Sequence, residues 1–397
     1  MHDASTTNSL KHPVLTGLTV MLVVFIGASV TAGLSPVLPR IRDAFADTPG
    51  VDFMTKALGT VGGLAAILIA PFMGWLLQRL GFRNLLLICA GTYLAAGLVG
   101  MVAPNLPILL VTRFFAGLAS AASMATGFTF LMSYYPTGPR EKWMGFVGTF
   151  GAAWGAASAM LGGALGEYGW RYALLMHVAA IPIALFVVLF IPNGGTAPAV
   201  QTQRTADTGS WRRFLPQIAL GMITGAVVLT TAVYLPFAFV ANGVSDPGRI
   251  ARLFSLYSVA SGVSAMAYGL ARRWLSIAAI NVVMFGIVAP SYFALAYLWG
   301  PLAHWIELIL LGLGVGMLTP NLMAYAGRHG DVAEKGRSIG LTKGAYFGGA
   351  FLFQAALSLV AIKDAQDCLA VLAATAVVGM LFLVHEMRPE KARPTLA

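Results

Sequence analysis

The chain has 397 residues, of which 58% are hydrophobic and only 10% are charged. A water-soluble domain of this size would expose large apolar patches, so the composition excludes a soluble globular protein and indicates a protein that lies in a lipid bilayer. The formal net charge is +10, but the basic residues are spread over short segments between apolar runs. Because nucleic-acid binding needs clustered basic residues, we expect no nucleic-acid partner.

Apolar runs long enough to cross a bilayer as helices recur along the whole chain. Twelve spans are predicted, at 14–39, 55–78, 84–103, 106–134, 143–166, 171–191, 214–241, 249–271, 276–298, 301–327, 337–361 and 367–386. The first run is too long for the core of a signal peptide and lacks a small-residue cleavage site, so we expect it to remain as a membrane helix.

A short basic loop occurs twice in the chain. Residues 74–83 read GWLLQRLGFR, and a weaker copy, AYGLARRW, begins 193 residues later. Glu141 and Glu334, each within a charged segment before an apolar run, are separated by the same offset. Two homologous halves are therefore predicted. They are a six-helix bundle in residues 1–191 and a second in 214–397, joined by a polar cytoplasmic linker at 192–213.

The distribution of Lys and Arg predicts the orientation in the membrane. With both termini in the cytoplasm, sixteen basic residues fall on the inner side and seven, including Lys56, on the outer side. Cytoplasmic loops of membrane proteins carry the excess of basic residues. We therefore expect an integral protein of the inner (plasma) membrane with both termini cytoplasmic.

The basic loop resembles the signature between the second and third helices of the major facilitator superfamily, a Gly-x-Leu-x-Asp-Arg-x-Gly pattern followed by Arg. Gln78 stands at its acidic position. The resemblance implies a twelve-helix, all-α membrane fold in two pseudo-symmetric bundles, with the loop and its copy gating the inner end of a transport path. The predicted gating residues are Gly74, Gln78, Arg79, Gly81, Arg83, Arg272 and Arg273.

Two further segments are similar to motifs of the same superfamily. Arg113 and Gly117 in the fourth span match an Arg-x-x-x-Gly motif, which implies an arginine that faces a central cavity and is associated with proton coupling. In the fifth span Gly162 and Gly163 match part of the glycine-rich motif of drug and proton antiporters, whose Gly-Pro is Ser-Ala here. Together these matches favour the drug/proton antiporter type.

Four ionisable side chains are predicted well inside the bilayer, namely Arg113, His177, Glu307 and Lys343. Such groups cost at least about 2.5 kcal/mol on insertion scales, so each is a functional candidate. Arg113 and Glu307 occupy nearly equivalent repeat positions, and the resemblance implies that they approach each other when the outer side closes. His177 is either a packing residue or a proton-relay group.

Polar and aromatic side chains share helical faces with these charged groups. Lys343 lies on one face with Tyr346 and Gln354, and Glu307 on one face with Asn321 and Tyr325. Such mixed walls are typical of ligand sites. The predicted substrate-binding and coupling residues are Arg113, Glu307, Lys343, Asn321, Tyr325, Tyr346, Tyr234, Trp154 and Gln354.

The predicted function is secondary active transport of a small amphiphilic solute, such as a drug, a siderophore-like metabolite or a sugar, by alternating access with proton-coupled export. No nucleotide-binding Gly-x-x-x-x-Gly-Lys-Ser/Thr loop occurs, so a gradient must drive transport, and no enzyme activity is expected. The alternative is an organic-anion (carboxylate) symporter or exchanger that uses Arg113 and Lys343. A lipid flippase or a non-transporting receptor of the same fold is a third possibility.

The expected partners are a small-molecule substrate, protons as the coupling ion and membrane lipid, and a monomer is expected. Cys89 and Cys368 fall near opposite membrane faces and have no metal-ligand spacing. We therefore predict no disulfide, no metal and no organic cofactor.

Overall fold

The computed structural model describes residues 10–193, 214–298, 300, 303–326, 332–360 and 364–387, which form helices and contain no strand. The first half contains α1 (Pro13–Ala32), α2 (Leu38–Ala44), α3 (Val51–Ile69), α4 (Met73–Met101), α5 (Leu106–Tyr134), α6 (Thr137–Glu167) and α7 (Ala180–Phe190). Short 3₁₀ helices lie at Ser35–Val37, Ala70–Phe72 and Trp170–Ala179. The second half contains α8 (Leu215–Ala241), α9 (Pro247–Ala271), α10 (Ile277–Tyr297), α11 (Ala303–Ala326), α12 (Val332–Leu359) and α13 (Ala365–Met387).

The predicted all-helical membrane architecture is confirmed. Within the described ranges, eight helical segments are long and apolar enough to cross a membrane. One of them runs from Val51 to Met101, where hydrogen bonding continues through a turn, and Gly81 divides it with φ 72° and ψ 169°. Glycine is the residue that adopts this backbone conformation without a steric cost. The second and third predicted spans therefore meet at Gly81, in the predicted gating loop.

The start of α3 differs from the prediction. The helix begins at Val51, after Gly50 with φ 74°, whereas the predicted span begins at residue 55. Lys56, expected among the outer loop cations, therefore lies in the second turn of a membrane helix and is buried. Nearby, the Arg42 Nε atom donates to Asp52 Oδ1 at 2.7 Å, and this carboxylate raises the pKa of the Arg42 guanidinium above its usual value.

The apolar core has three parts. One cluster contains first-half residues such as Leu86 and Phe130, and a second consists mainly of second-half residues such as Phe285. The third contains residues from both halves, including Leu58 of α3 and Val233 of α8. Most of the linker, residues 194–213, lies outside the described residues, so the bundle boundaries at 191 and 214 stay a prediction.

The two halves pack together at one end of the molecule, here called the predicted outer end, where the connections 45–50, 168–169 and 242–246 lie. Ser35 Oγ, just after α1, donates to the Ala232 carbonyl oxygen of α8 at 2.6 Å. Gly163 of α6 approaches Pro247 of α9 so closely that a Cβ atom would lie 2.8 Å from the Pro247 carbonyl oxygen. Small residues allow this close helix contact, and the predicted outer end is closed.

Candidate functional site

A buried lysine lies between the two halves. Lys56 of α3 is 5% exposed. Its Nζ atom lies 4.6 Å from the ring centroid of Tyr234 and 5.8 Å from that of Phe237, both on α8. Aromatic faces attract cations most strongly where water is excluded. Because a charge at this depth is costly, Lys56 is a candidate functional residue.

The surroundings of Lys56 extend to two further helices. The Tyr234 hydroxyl lies beside the Gln354 side chain of α12 and the Cys368 thiol of α13. Gln354 is 1% exposed, and its Oε1 atom has no hydrogen-bond partner among the described residues. Cys89 and Cys368 are both buried, and no disulfide joins them in the described structure.

Buried polar atoms without a hydrogen-bond partner concentrate on α3, α8 and α12. Of the described residues, those on these helices are Thr55, Thr60, Thr230, Tyr234, Thr342 and Gln354. Buried polar groups are normally paired, so such a concentration indicates a place that water or a ligand completes. We call the surfaces of these helices that carry Lys56, Thr60, Tyr234, Gln354 and Lys343 the polar seam.

Lys343 lies toward the opposite end of the polar seam from Lys56. Its Nζ atom is 5.7 Å from the ring centroids of Tyr346 and Phe347. Phe347 packs against Gly63 of α3, which places this part of α12 against the first half. Lys343 precedes Gln354 by eleven residues, or about 16 Å of helix. Each end of the seam therefore has one lysine beside two aromatic rings.

Arg113 lies inside the first half. The side chain is 0% exposed, and its Nη2 atom is 3.1 Å from His177 Nε2. The His177 ring stacks on Tyr93 with centroids 4.3 Å apart. The Arg113 Nε and Nη1 atoms have no hydrogen-bond partner among the described residues. The structure thus places Arg113 against α4 and the 3₁₀ helix of its own half.

A chain of hydroxyl groups continues from Tyr93. Its hydroxyl reaches Ser29 of α1. Trp154 of α6 donates from Nε1 to Ser29 Oγ at 2.8 Å, and Ser158 Oγ lies 3.1 Å from the same atom. Trp154, predicted as part of a ligand wall, therefore belongs to a polar cluster with His177 and Arg113. We call Arg113, His177, Tyr93, Ser29 and Trp154 the first-half cluster.

Glu307 and Arg113 are not brought together, although the predicted outer end is closed. Glu307 is partly buried on α11, and its carboxylate lies beside Ser291 of α10. Arg113 is hydrogen bonded to His177 instead. The expected approach fails because Glu307 lies on the face of α11 that packs against α10, and Arg113 points into the first half.

The predicted wall residues Asn321, Tyr325 and Tyr346 are buried within the second half. Asn321 Nδ2 donates to the Ile277 carbonyl oxygen at 2.7 Å, and its Oδ1 accepts from the Tyr268 hydroxyl at 3.1 Å. These bonds tie α11 to α9 and α10. Asn321 therefore connects helices here, whereas Tyr234 and Gln354 lie near Lys56.

The arginines of the predicted gating loop contact residues of their own half. The Arg79 guanidinium carbon lies 5.0 Å from the Trp75 ring centroid, and Arg83 Nη1 donates to Asn193 Oδ1, just after α7. Gln78 is exposed. In its second copy, Arg272 and Arg273 are exposed, and Arg272 Nη1 donates to the Leu275 carbonyl oxygen at 2.8 Å.

Gly74, also in the predicted gating set, is exposed, and a Cβ added to it would meet nothing within 4 Å. The described polar contacts of each loop copy are with residues of its own half. These contacts do not hold the two halves together at the inner end. The gating roles stay a prediction.

Sequence reasoning missed Lys56 and the partner of Arg113. The signal for Lys56 is present, because Gly50 and Asp52 mark a helix start that brings Lys56 within the span. His177 was identified as intramembrane, but no spacing pattern relates it to Arg113, 64 residues earlier in the chain.

The family model described as the Major Facilitator Superfamily matches residues 20–354. The 4-hydroxybenzoate transporter PcaK of Acinetobacter baylyi is 31% identical over 142 residues, covering 33% of this chain and 30% of that protein. The efflux pump aflT of Aspergillus parasiticus is 25% identical over 61% of this chain and 46% of its own. The chloramphenicol resistance protein of Streptomyces lividans is 25% identical over 56% of each. The matches thus span between 30% and 56% of these relatives' lengths.

Solved structures share the fold across nearly the whole chain. The crystal structure of a D-xylose-proton symporter gives a TM-score of 0.79 at 12% identity, covering 94% of this chain and 97% of that one. The inward open conformation of the xylose transporter XylE from E. coli gives 0.75 at 13% identity, covering 93% and 94%. At such low identity the likeness shows the fold alone, and it confirms the predicted twelve-helix architecture.

Proposed function

The chain belongs to the major facilitator superfamily, and on this premise we propose that it is a secondary active transporter for a small organic anion with an aromatic or other apolar body. It moves this anion across the membrane by alternating access. The observation that carries the choice of an anion is that both charged side chains of the polar seam, Lys56 and Lys343, are cations. Ammonium groups form strong charge-assisted hydrogen bonds with a carboxylate.

The seam supplies both parts of an aromatic-acid site. The lysine ammonium groups pair with the carboxylate, and the aromatic rings of Tyr234, Phe237 and Phe347 provide edge and face contacts to an apolar body. The unpaired polar atoms of Gln354 and Thr60 are available to a substrate hydroxyl. The similarity to a 4-hydroxybenzoate transporter agrees with this chemistry.

This proposal changes the residues of the organic-anion alternative predicted from sequence. Lys56 takes the place given there to Arg113, since Lys56 contacts the other half of the molecule and Arg113 is enclosed within its own. Lys343 keeps its role.

Counterflow in proteoliposomes tests the substrate class. Vesicles loaded with unlabelled 4-hydroxybenzoate should take up the labelled compound in exchange. Excess unlabelled 4-hydroxybenzoate added outside should block this uptake. The matched control is 4-hydroxybenzamide, which has the same ring and hydroxyl group but no charge. It should compete at least tenfold more weakly, because it cannot form a charge-assisted pair with the lysines. Equal competition by the amide would reject the anion proposal.

A second candidate is proton-coupled export of a neutral or cationic amphiphile. It is favoured by the similarity to an efflux pump and a chloramphenicol resistance protein, and by Glu307, a half-buried carboxylate. Under this candidate, a pH gradient drives chloramphenicol accumulation in inverted vesicles. Glu307→Gln then removes accumulation and leaves exchange intact. Counterflow of 4-hydroxybenzoate without any chloramphenicol transport would decide against it.

We also propose that the protein lies in the inner membrane with both termini cytoplasmic, on the basis of the Lys and Arg distribution. The proposed oligomeric state is a monomer. A green fluorescent protein fused to the C-terminus should fluoresce in this orientation, and alkaline phosphatase at the same position should be inactive. The mass of the protein in lipid nanodiscs tests the monomer.

A further inference from the structure

We infer that His177 is the proton-binding group of this transporter and that Arg113 is the side chain that moves when the proton binds. The inference rests on the proposed transport function and competes with the assignment of coupling to Glu307 made under the second candidate. It concerns the first-half cluster, which is separate from the polar seam.

The hydrogen bonds of His177 fix where its proton lies. His177 Nδ1 is 2.8 Å from the Leu174 carbonyl oxygen, which only accepts, so Nδ1 carries the hydrogen. The other nitrogen, Nε2, is then the acceptor for Arg113 Nη2, which only donates, at 3.1 Å. In this arrangement the imidazole is neutral. Nε2, the nitrogen that would take up a proton, accepts the hydrogen bond from Arg113.

A proton on Nε2 breaks this bond. It turns the acceptor into a donor and places two buried cations against each other, where their repulsion is strong. Arg113 can leave, because Nε and Nη1 hold no hydrogen bond among the described residues. The pair therefore has two arrangements, one with neutral His177 bonded to Arg113 and one with protonated His177 and a displaced guanidinium.

The titratable groups that face the imidazole in the described structure are Tyr93 of α4, stacked at 4.3 Å, and Arg113 of α5. The sequence of α7 contains no ionisable residue. Arg171 of the same 3₁₀ helix as His177 donates to the Ala103 carbonyl oxygen. On the described elements packed against this helix, Arg42 pairs with Asp43 and Asp52, Arg40 donates to the Gly166 carbonyl oxygen, and Glu167 lies beside Gly248. No described carboxylate lies against the pair of His177 and Arg113. A proton bound to His177 therefore adds a full positive charge to the pair.

The cluster is connected to the helices that close the predicted outer end. Tyr93, which stacks on His177, reaches Ser29 of α1, and Trp154 of α6 donates to the same serine. The end of α1 bonds to α8 through Ser35, and α6 packs on α9 through Gly163. A displacement of His177 or Arg113 is therefore transmitted to both closing contacts, which is the coupling that alternating access needs.

Glu307, the coupling residue expected from sequence, lacks such a connection. Its described contact is with Ser291 of the neighbouring α10 in the same half. The geometry thus favours His177, and Glu307→Gln tests the competing assignment.

The test compares wild type, His177→Gln and Glu307→Gln in proteoliposomes, with 4-hydroxybenzoate or chloramphenicol, whichever undergoes counterflow. Glutamine Oε1 can accept the Arg113 hydrogen bond, so the neutral arrangement is retained. We expect His177→Gln to keep counterflow at equal pH within threefold and to lose at least tenfold in accumulation driven by a pH gradient. Glu307→Gln should keep accumulation if His177 is the coupling group, and loss of accumulation in Glu307→Gln alone would assign the coupling to Glu307. Wild-type accumulation in His177→Gln would overturn the inference.

A second measurement does not depend on transport or on that variant's activity. The purified protein with ¹³C-labelled histidine is titrated by NMR, and His177 is assigned as the resonance lost in His177→Gln or His177→Asn. We expect this resonance to shift with pH, and the titration midpoint to lie at higher pH in Arg113→Ala, because that variant removes the cation beside Nε2. A His177 resonance that never titrates overturns the inference. If neither substrate undergoes counterflow in wild type, the proposed function fails, and the NMR titration still decides the role of His177.

Discussion

The Nζ atom of Lys56 lies 4.6 Å from the ring centroid of Tyr234, and the two residues come from different halves of the chain. Their contact exists only while α3 and α8 are packed together. A desolvated cation–π pair contributes about 2 kcal/mol. Under the proposed function, an anion that pairs with Lys56 competes with this contact, so substrate binding and closure of the predicted outer end would act on the same side chain.

Lys56→Gln should weaken binding of 4-hydroxybenzoate by about 10- to 150-fold, because a hydrogen bond to a charged group contributes about 1.5–3 kcal/mol. Lys56→Arg keeps the charge and should stay within a few-fold of wild type. Isothermal titration calorimetry at low salt measures both. The matched control is Arg252→Gln, which removes an exposed cation of α9 near the same end. Unchanged affinity in Lys56→Gln contradicts the proposed anion site.

Lys343 and Arg113 should respond differently to the same substitution. Lys343→Gln removes a seam cation beside Tyr346 and should weaken anion binding at least tenfold. Arg113→Gln changes a residue enclosed with His177, so the affinity should stay within threefold. Its melting temperature should not fall, since the variant removes a buried charge with unpaired N–H groups and glutamine can still donate to His177.

The result that contradicts this pair of expectations is loss of anion binding in Arg113→Gln with retained binding in Lys343→Gln. Lys343 would then be a lysine that extends its amine to the membrane surface, and Arg113 would face the substrate.

Much of the fold follows from the sequence, because a bilayer demands long apolar helices and basic loops. The reversal at Gly81 was predictable for the same reason, since the loop contains a glycine between basic residues. Helix ends were less predictable. The acid Asp52 lowers the local hydropathy but suits the first turn of a helix, where the N–H groups favour a negative charge. Because α3 begins at Val51, Lys56 lies inside the protein and not among the outer loop cations.

The site was predictable only in part. Helical spacing predicted Lys343, Gln354 and Tyr234 as candidates, because residues on one helix face share a regular period. Pairings between helices carry no such period, so the Arg113 bond to His177 and the position of Lys56 against Tyr234 required the three-dimensional arrangement. The repeat offset suggested Glu307 for Arg113, but equivalent repeat positions need not point at each other.

The basic loop gives a prediction about conformation. Arg79→Ala combined with Arg83→Ala should slow turnover and leave substrate affinity within a few-fold, as expected if the loop acts on the inner end and not on the seam. Gln78→Asp introduces a carboxylate beside both arginines and should favour the state in which the inner end is closed. Substrate affinity that collapses while turnover survives would reject the gating role.

Cys368 provides the measurement for Gln78→Asp. It is fully buried beside Tyr234 while the predicted outer end is closed. In a Cys89→Ser background, an impermeant maleimide should label Cys368 faster in Gln78→Asp than in Gln78→Asn, because only the former adds a charge and shifts the population. Equal labelling rates in the two variants would show that the acidic position does not affect the conformational equilibrium.

Gly163 offers a way to open the same end directly. A Cβ atom at this position would lie 2.8 Å from the Pro247 carbonyl oxygen and against Ala251, both on α9 of the other half. Overpacking of a close contact costs about 1–3 kcal/mol, and here the cost falls only on the closed state. Gly163→Ala should therefore shift the population toward an open predicted outer end and raise Cys368 labelling by about fivefold or more. The matched control on the same helix is Gly155→Ala, where a Cβ meets nothing within 4 Å of the described structure. It should label at the wild-type rate. If both variants label alike, the contact between α6 and α9 does not close this end of the molecule.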